Sequence, residues 1–173
     1  MRKRFYQEVD VLWRLDGTVH SHLLTVLTAF MHNDGHLQLR LVFPWADCDL
    51  MGYWELGDAS WTWDAESFTW MAEQIDGILG AVEKLHEPAH LHVLEQNDRR
   101  YGLHADIKPD NILLFRSRAH PRGILVLSDF GLSSFHREVT RSNIPNHLVM
   151  GTQGYSPPEC DIEGGMVSRR YGE

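Results

Sequence analysis

Residues 104–111 read HADIKPDN, and this stretch decides how the rest of the chain is interpreted. It gathers a histidine, two aspartates, a lysine and an asparagine around one proline, Pro109. A solvated turn can have this composition by chance, because Asp, Asn and Pro are all favoured in turns. The interpretation therefore depends on the segments that flank the stretch and on the polar motifs found elsewhere in the chain.

Apolar segments with clear periodicity flank the stretch. Ahead of it, apolar residues at three- and four-residue steps from Met71 to Leu85 predict a long helix that ends at Glu87-Pro88, with a broad apolar side packed in a core. After it, NILLF and the run Ile124 to Leu127 predict two strands joined by the turn RSRAHPRG. HADIKPDN is thus predicted to lie on a loop, where a rigid scaffold commonly holds functional groups.

The first third of the chain has a pattern of its own. FYQEVDVLWRL, residues 5–15, predicts a short amphipathic helix. Two apolar runs, Leu23 to Phe30 and Leu37 to Phe43, predict strands joined by the turn HNDGH. Helices and hairpins that follow one another in this way predict an α+β fold.

Composition excludes several classes of protein. A chain of 173 residues with 43% hydrophobic and 23% charged residues is typical of one globular domain. The net charge of −8 argues against a nucleic-acid partner, and no apolar run approaches the length of a membrane span. Cys48 and Cys160 lie too far apart in sequence to indicate a zinc site or a disulfide framework. We expect an intracellular protein, cytoplasmic or nuclear, without nucleic-acid or membrane partners.

Three motifs follow one another in a fixed order: HADIKPDN, then DFG at 129–131, then GTQGYSPPE at 151–159. Together they resemble the ordered signature of the eukaryotic protein kinase catalytic region. FYQEVDVLWRL resembles the regulatory helix of the kinase small lobe, with Glu8 in the position of its ion-pairing glutamate. LRLVFPWADCDL resembles the last small-lobe strand and the hinge, and AEQIDGILGAVEKLHE resembles the helix before the catalytic loop. The resemblance covers nearly the whole chain.

The resemblance implies a truncated protein-kinase-like fold, with residues 1–173 as part of one kinase domain. Residues 1–46 would form a partial small lobe, made of the regulatory helix and a β-hairpin, together with the hinge. Residues 47–173 would form the first half of the mainly helical large lobe, with the catalytic and activation loops. The sequence shows no glycine-rich loop and no strand lysine ahead of Glu8.

The resemblance also implies an activity, that of a protein serine/threonine kinase that transfers the γ-phosphate of ATP to a protein hydroxyl. Asp106 would orient the substrate hydroxyl or accept its proton, and Lys108 would neutralise the transferring phosphate. Asn111 and Asp129 would hold Mg²⁺ and the nucleotide, since Mg²⁺ prefers oxygen ligands. Phe43 would contact the nucleotide from the hinge.

Two further positions bear on this activity. Trp45 would also contact the nucleotide from the hinge, and Thr152 in GTQGY, like the lysine of the catalytic loop, fits the serine/threonine class. Ala105 occupies a position where many kinases carry an arginine that receives a phosphorylated activation-loop residue. The tryptophans at 54, 61, 63 and 70 are interpreted as packing residues without chemistry.

His104 resembles the kinase histidine that stacks under the DFG phenylalanine, so we expect it to be structural. With Leu12, Val26 and Phe130 it would complete one packed column. Two alternatives to an active protein kinase stay open. The first is an inactive, pseudokinase-like interaction module, which the absent strand lysine supports. The second is a small-molecule kinase, against which GTQGYSPPE argues. The sequence assigns neither a particular protein substrate nor an oligomeric state.

Overall fold

The computed structural model describes residues 20–35, 37–55, 62–87, 100–137, 144–145, 151–152 and 154–167. The helix predicted over residues 5–15, with Glu8 and Leu12, lies outside these described residues, and so does Trp61. The described ranges contain helices and antiparallel strands, which confirms the predicted α+β class.

The described residues form two helices and nine short strands. In chain order these are β1 (Thr28–Asn33), β2 (Leu37–Val42), β3 (Cys48–Asp49), α1 (Leu50–Glu55), α2 (Ala65–His86), β4 (Arg100–Leu103), β5 (Ile112–Phe115), β6 (Ile124–Leu127), β7 (Ser134–Arg137), β8 (Ile144–Pro145) and β9 (Met166–Val167). Strands β3, β5 and β6 make an antiparallel sheet, and β1-β2, β4-β7 and β8-β9 are separate antiparallel pairs. Neither described helix combines the length and the hydropathy that crossing a membrane requires.

The predicted hairpin is present, but its first strand begins later than the apolar run suggested. Strands β1 and β2 pair from Thr28 opposite Val42 to Asn33 opposite Leu37. The turn uses Asn33, whose side chain accepts a hydrogen bond from the Gly35 N–H at 3.3 Å, and Gly35 adopts a φ of +103° that favours glycine. The prediction of a strand from Leu23 was wrong, because Leu23 and Leu24 are held by a different partner.

That partner is β6. The Leu24 N–H donates to the Leu127 carbonyl at 2.9 Å, and the Leu127 N–H donates to the His22 carbonyl at 2.8 Å. Leu23 forms a parallel bridge to Leu127, and Leu23 and Leu24 are both buried. These residues belong to the main core, whose buried members are Leu23, Leu24, Ala81, Val82, Val126, Leu127 and Phe130. The segment before the hairpin is therefore anchored next to the strand that leads into DFG.

Helix α2 confirms the predicted long helix and extends it towards the N-terminus. Its N-cap is Asp64, whose side chain accepts from the Ser67 N–H at 2.8 Å, and it ends at His86, as the Glu87-Pro88 pair predicted. The expectation that its whole apolar side is buried was wrong. Ala81, Val82 and Leu85 are buried, whereas Met71, Ile75 and Leu79 are 37%, 54% and 62% exposed.

The exposed stripe of α2 borders a groove of about 730 Å³ rich in aromatic side chains. The groove is lined by Leu50, Tyr53, Trp54, Trp63, Phe68, Trp70, Met71, Gln74, Ile75 and Leu125. Of the predicted packing tryptophans, Trp70 is half-buried and its indole N–H donates to the Gly123 carbonyl at 2.9 Å. Trp54 and Trp63 are exposed, so they line the groove rather than fill a core.

Two histidines join the pre-hairpin segment to α2. A Cβ at Gly77 would lie 2.2 Å from His22 Nε2, and a Cβ at Gly80 would lie 3.1 Å from His20 Nε2, so both rings sit directly on the helix backbone. His22 Nδ1 lies 2.6 Å from the Leu125 carbonyl and therefore donates. His20 Nδ1 accepts from the His22 N–H at 3.3 Å, so this nitrogen is unprotonated.

Protonation of His20 is disfavoured by its surroundings. Burial lowers the pKa of His20, and the His22 ring and the Lys84 ammonium lower it further. A group whose pKa is lower in the folded protein than in the unfolded chain destabilises the fold as pH falls, because the unfolded chain binds the proton more readily. For histidine this loss begins near the unfolded pKa of about 6.5.

We therefore predict that the free energy of unfolding falls between pH 7 and 5 and that His20→Asn reduces this fall. Asparagine keeps a side-chain acceptor close to the position of Nδ1 but does not titrate. Denaturant titrations at several pH values measure the effect. His32→Asn is the control, because the His32 side chain is 51% exposed on the hairpin. Identical pH slopes for the parent and His20→Asn would contradict the prediction.

Candidate functional site

The β5-β6 pair brings the two polar motifs together. Ile112 at the start of β5 pairs with Leu127 at the end of β6, so the residues just outside this pair also face each other. The Ser128 N–H donates to the Asn111 carbonyl at 2.8 Å, which extends the ladder by one bond. HADIKPDN, which ends at Asn111, therefore lies beside SDFG, which begins at Ser128. The loop reaches β5 through a short 3₁₀ turn at Pro109–Asn111.

Asp106 is the centre of the site. Its carboxylate is only 8% exposed. Oδ1 accepts from the Thr152 N–H at 2.9 Å and from the Thr152 hydroxyl at 2.7 Å, and Oδ2 accepts from Asn111 Nδ2 at 3.0 Å. Lys108 Nζ lies 3.4 Å from Oδ2. Both carboxylate oxygens are thus paired, as a buried charge requires.

These partners determine the charge of Asp106. Burial raises the pKa of the Asp106 carboxyl, but the Thr152 hydroxyl, the Lys108 ammonium and the Asn111 amide together outweigh burial and hold the pKa below its ordinary value. The carboxyl is therefore ionised at neutral pH, and it is a weak base. A group of this kind orients a hydroxyl more effectively than it removes its proton before reaction.

Thr152 connects the GTQGY segment to the loop. Its hydroxyl donates to Asp106 Oδ1 and accepts from Lys108 Nζ at 2.9 Å. The backbones of the two segments lie close together, since a Cβ at Gly151 would lie 2.9 Å from the Ala105 carbonyl oxygen. The sequence had placed Thr152 only as a residue that fits the serine/threonine class, so its contact with Asp106 was missed. No local pattern signals it, because the two residues are 46 positions apart.

Two residues of the site adopt left-handed backbone conformations, which are unfavourable for residues other than glycine. Ala105 has a φ of 69° and Asp129 a φ of 60°. Each such conformation costs on the order of 1 kcal/mol or more and persists where neighbouring contacts enforce it. Asp129 is held in part by its own side chain, which accepts from the Gly131 N–H at 3.1 Å. Its carboxylate remains exposed, so a ligand can reach it.

His104 contacts Phe130, as expected for a structural residue. The two ring centroids are 5.3 Å apart, and both side chains are almost completely buried. His104 Nε2 donates to the Ser128 carbonyl at 2.9 Å, and its Nδ1 accepts from the Asp106 N–H at 3.3 Å, so the ring is neutral. Val26 packs against the same core as Phe130. The His104–Phe130 contact of the predicted column is thus present, whereas the place of Val26 in one continuous column stays a prediction.

The two hinge residues predicted to contact a nucleotide lie in different environments. Phe43 is half-buried and packs against the core that contains Leu127 and Phe130. Trp45 is 95% exposed and contributes nothing to that core. Their contact with a nucleotide stays a prediction.

Asn111 and Asp129 have the chemistry that a magnesium ion needs. Asn111 Nδ2 donates to the Asp106 carbonyl at 2.8 Å as well as to its carboxylate, which leaves the Asn111 amide oxygen as the available ligand atom. Asp129 offers an exposed carboxylate. Mg²⁺ commonly takes one or two protein oxygens and completes its shell with water and phosphate, so this pair fits it. Neither here nor elsewhere do the described residues contain a cluster of three or more His, Cys, Asp or Glu side chains that could hold a metal by themselves.

Comparison with known proteins agrees with this geometry. Residues 1–170 match the family described as the protein kinase domain. The chain belongs to the protein kinase family. The match confirms the kinase-like fold, while the division into residues 1–46 and 47–173 stays a prediction.

Individual relatives of this kinase-family chain come from plants. It is 41% identical over 56 residues to CBL-interacting serine/threonine-protein kinase 9 of Arabidopsis thaliana, an alignment that covers 32% of the chain and 11% of the relative. It is 34% identical over 91 residues to Cysteine-rich receptor-like protein kinase 10 of Oryza sativa subsp. japonica, an alignment that covers 52% of the chain and 12% of the relative. It is 26% identical over 169 residues to Proline-rich receptor-like protein kinase PERK8 of Arabidopsis thaliana, an alignment that covers 96% of the chain and 21% of the relative. The chain thus spans about a fifth or less of the length of these relatives.

The Thr152 hydroxyl supplies a prediction about stability. We expect Thr152→Val to lower the free energy of unfolding at pH 7 by about 1–3 kcal/mol, because a buried carboxylate loses a charge-assisted hydrogen bond. Denaturant titration measures this change. The difference from the parent should shrink as pH falls through the lowered pKa of Asp106, where the carboxyl becomes protonated in the folded protein too.

Thr152→Ser is the control for the hydroxyl, because it keeps the donor and removes only the methyl group. If Thr152→Ser destabilises the protein as much as Thr152→Val, the lost stability comes from packing, and the proposed importance of the hydroxyl is wrong.

Proposed function

We propose that this chain carries the catalytic centre of an ATP-dependent protein serine/threonine kinase, which transfers the γ-phosphate of ATP to a protein hydroxyl. The observation that carries the proposal is the cluster of the Asp106 carboxylate, the Lys108 ammonium and the Thr152 hydroxyl beside the Asn111 amide. Phosphoryl transfer depends mainly on positioning and on stabilising spread negative charge, and this cluster offers both functions.

Asp106 and Lys108 would act at the reacting atoms. The Asp106 carboxylate would accept a hydrogen bond from the substrate hydroxyl and orient the hydroxyl oxygen towards the γ-phosphorus. As the new oxygen–phosphorus bond forms, the bond from the γ-phosphorus to the β–γ bridging oxygen would break, ADP would leave, and the hydroxyl proton would pass to Asp106. The weak basicity of Asp106 is consistent with proton transfer late in the reaction. Lys108, now 2.9 Å from the Thr152 hydroxyl, would donate to the transferring phosphate and offset its charge.

Asn111 and Asp129 would hold the metal that accompanies ATP. When bound, Mg²⁺ neutralises part of the charge on the nucleotide phosphates. The role of the protein would be to present one amide oxygen and one carboxylate at a fixed spacing. Phe43 and Trp45 would contact the nucleotide base from the hinge, where Trp45 offers an exposed aromatic face.

Two features support the serine/threonine class and a protein substrate. Lys108 and Thr152 are in direct contact, which joins the lysine of HADIKPDN to the threonine of GTQGY. One relative is named a serine/threonine-protein kinase and the other two are named receptor-like protein kinases. GTQGYSPPE resembles the part of a protein kinase that positions a peptide.

The alternative is a pseudokinase-like interaction module that keeps the fold without transferring phosphate. The aromatic groove beside α2 favours it, because exposed apolar surface often marks a site of protein contact. The two functions differ in whether phosphate is transferred, which an assay on the purified chain decides.

One prediction from this proposal concerns the metal. Asp129→Asn should weaken ATP binding in the presence of Mg²⁺ by on the order of tenfold or more, which corresponds to about 1.4 kcal/mol, because a charged ligand is lost. Binding without Mg²⁺ should change little. Titration calorimetry with and without Mg²⁺ measures both values.

Asp110→Asn is a matched control for this experiment. It removes one exposed carboxylate from the neighbouring HADIKPDN loop, at a position without a proposed role. The metal assignment fails if Asp129→Asn binds Mg-ATP as tightly as the parent while the parent shows clear metal dependence.

The second prediction concerns catalysis. Asp106→Asn should lower phosphate transfer to serine- or threonine-containing protein substrates by roughly 10²- to 10⁴-fold, the usual contribution of general acid–base catalysis. It should leave Mg-ATP affinity within a few-fold of the parent, because Asn can still pair with Thr152. Radiolabelled phosphate transfer and calorimetry measure the two properties. A parent that binds Mg-ATP and transfers no phosphate would favour the interaction module.

A further inference from the structure

Ser128 is a buried residue that is not among the predicted catalytic, nucleotide-binding or metal-binding residues. It is 5% exposed and lies between the end of β6 and Asp129. Its N–H and its hydroxyl both donate to the Asn111 carbonyl oxygen, at 2.8 and 2.9 Å. Its own carbonyl accepts from His104 Nε2 at 2.9 Å. Ser128 therefore contacts both ends of HADIKPDN.

The two bonds to Asn111 differ in what they require of the sequence. The bond from the Ser128 N–H continues the β5-β6 ladder, and any residue except proline could form it. The bond from the hydroxyl requires Ser or Thr at this position. Because it gives the Asn111 carbonyl a second donor, it restricts the orientation of the Asn111 peptide beyond what the ladder alone achieves.

This restriction acts between the two proposed metal ligands. Asn111 precedes β5, and Asp129 follows Ser128 directly, so the hydroxyl bond fixes the backbone of one ligand against that of the other. Asp129 needs such support, because its φ of 60° is unfavourable for a residue with a Cβ. Mg²⁺ tolerates little error, since it demands nearly octahedral geometry with oxygen distances of about 2.0–2.1 Å.

We propose that Ser128 is a positioning residue for metal-nucleotide binding: its hydroxyl sets the spacing between the Asn111 amide oxygen and the Asp129 carboxylate without touching the ligand. The inference rests on the proposed function. It extends that function by making the residue before DFG a determinant of how strongly ATP binding depends on Mg²⁺.

The chain offers a matched control in Ser133. Ser133 is 3% exposed, and its hydroxyl donates to the His104 carbonyl at 3.1 Å. Ser128→Ala and Ser133→Ala therefore each remove one buried hydroxyl that donates to a backbone carbonyl. Only the first of these hydroxyls bonds to Asn111 itself and lies next to Asp129; the second bonds to His104, seven residues before Asn111.

The test measures ATP affinity of the parent and the variants over a series of Mg²⁺ concentrations. Ser128→Ala should weaken Mg-ATP binding roughly three- to tenfold, the value of about one hydrogen bond. It should also raise the Mg²⁺ concentration at which half of the metal's effect on ATP affinity is reached. Affinity for ATP without metal should be unchanged. Ser128→Thr should restore the parent values, and Ser133→Ala should leave the Mg²⁺ dependence unchanged even where it lowers stability.

A second readout needs no ligand. Amide hydrogen exchange at Ile112, whose N–H shares one peptide group with the Asn111 carbonyl, should become faster in Ser128→Ala and not in Ser133→Ala, because only the first variant frees this peptide group.

The outcomes separate the two claims. If the parent binds no Mg-ATP, the proposed function is wrong, and the proposed role of Ser128 in metal binding is wrong as well. If the parent binds Mg-ATP with clear metal dependence and Ser128→Ala shows the same affinity and the same metal dependence, the role of Ser128 is wrong and the proposed function stands. Equal shifts in Ser128→Ala and Ser133→Ala also overturn it, because they indicate a general loss of stability rather than positioning.

Discussion

A buried carboxylate must be paired, and in this chain the pairing of Asp106 organises the site. Its donors come from its own loop, through Lys108 and Asn111, and from the GTQGY segment, through Thr152. The second source is the more consequential one, because it ties a part of the chain more than 40 residues away to the loop. A protein that failed to bring Thr152 to Asp106 would leave a buried charge short of donors. The electrostatics of one side chain thus constrain the path of two segments.

The local elements around the site could be predicted from the sequence, because their signals are local. The apolar run from Ile124 to Leu127 is a strand, and the three- and four-residue steps after Met71 lie on a helix. The turn at Asn33 and Gly35 has the residues that a hairpin requires. In each case the deciding interaction joins residues close in sequence.

The errors and omissions arise where a distant partner decides. Residues 23–27 are apolar enough for a strand, but Leu24 pairs with Leu127 instead. Strand β4 was not predicted, because it forms by pairing with β7, more than 30 residues away. The residue types of the site followed from the motifs, whereas the contacts of Thr152 and Ser128 depend on the tertiary fold. Periodicity also could not show that Leu79 would be exposed, since it reports an apolar face and not what covers it.

The bonds between Leu24 and Leu127 also determine how closely the hairpin is connected to the strand that leads into DFG. Leu24 is fixed to β6, and the Leu27 N–H already belongs to the hairpin through its bond to the Val42 carbonyl at 2.8 Å. Only Thr25 and Val26 lie between these two attachments. The chain therefore passes from β6 to the hairpin within two residues, and Val26, one of the two, packs against the core that contains Leu127. Since Leu127 is two residues from Asp129, a change in the hairpin strand has only a short covalent and hydrogen-bonded path to the backbone of DFG.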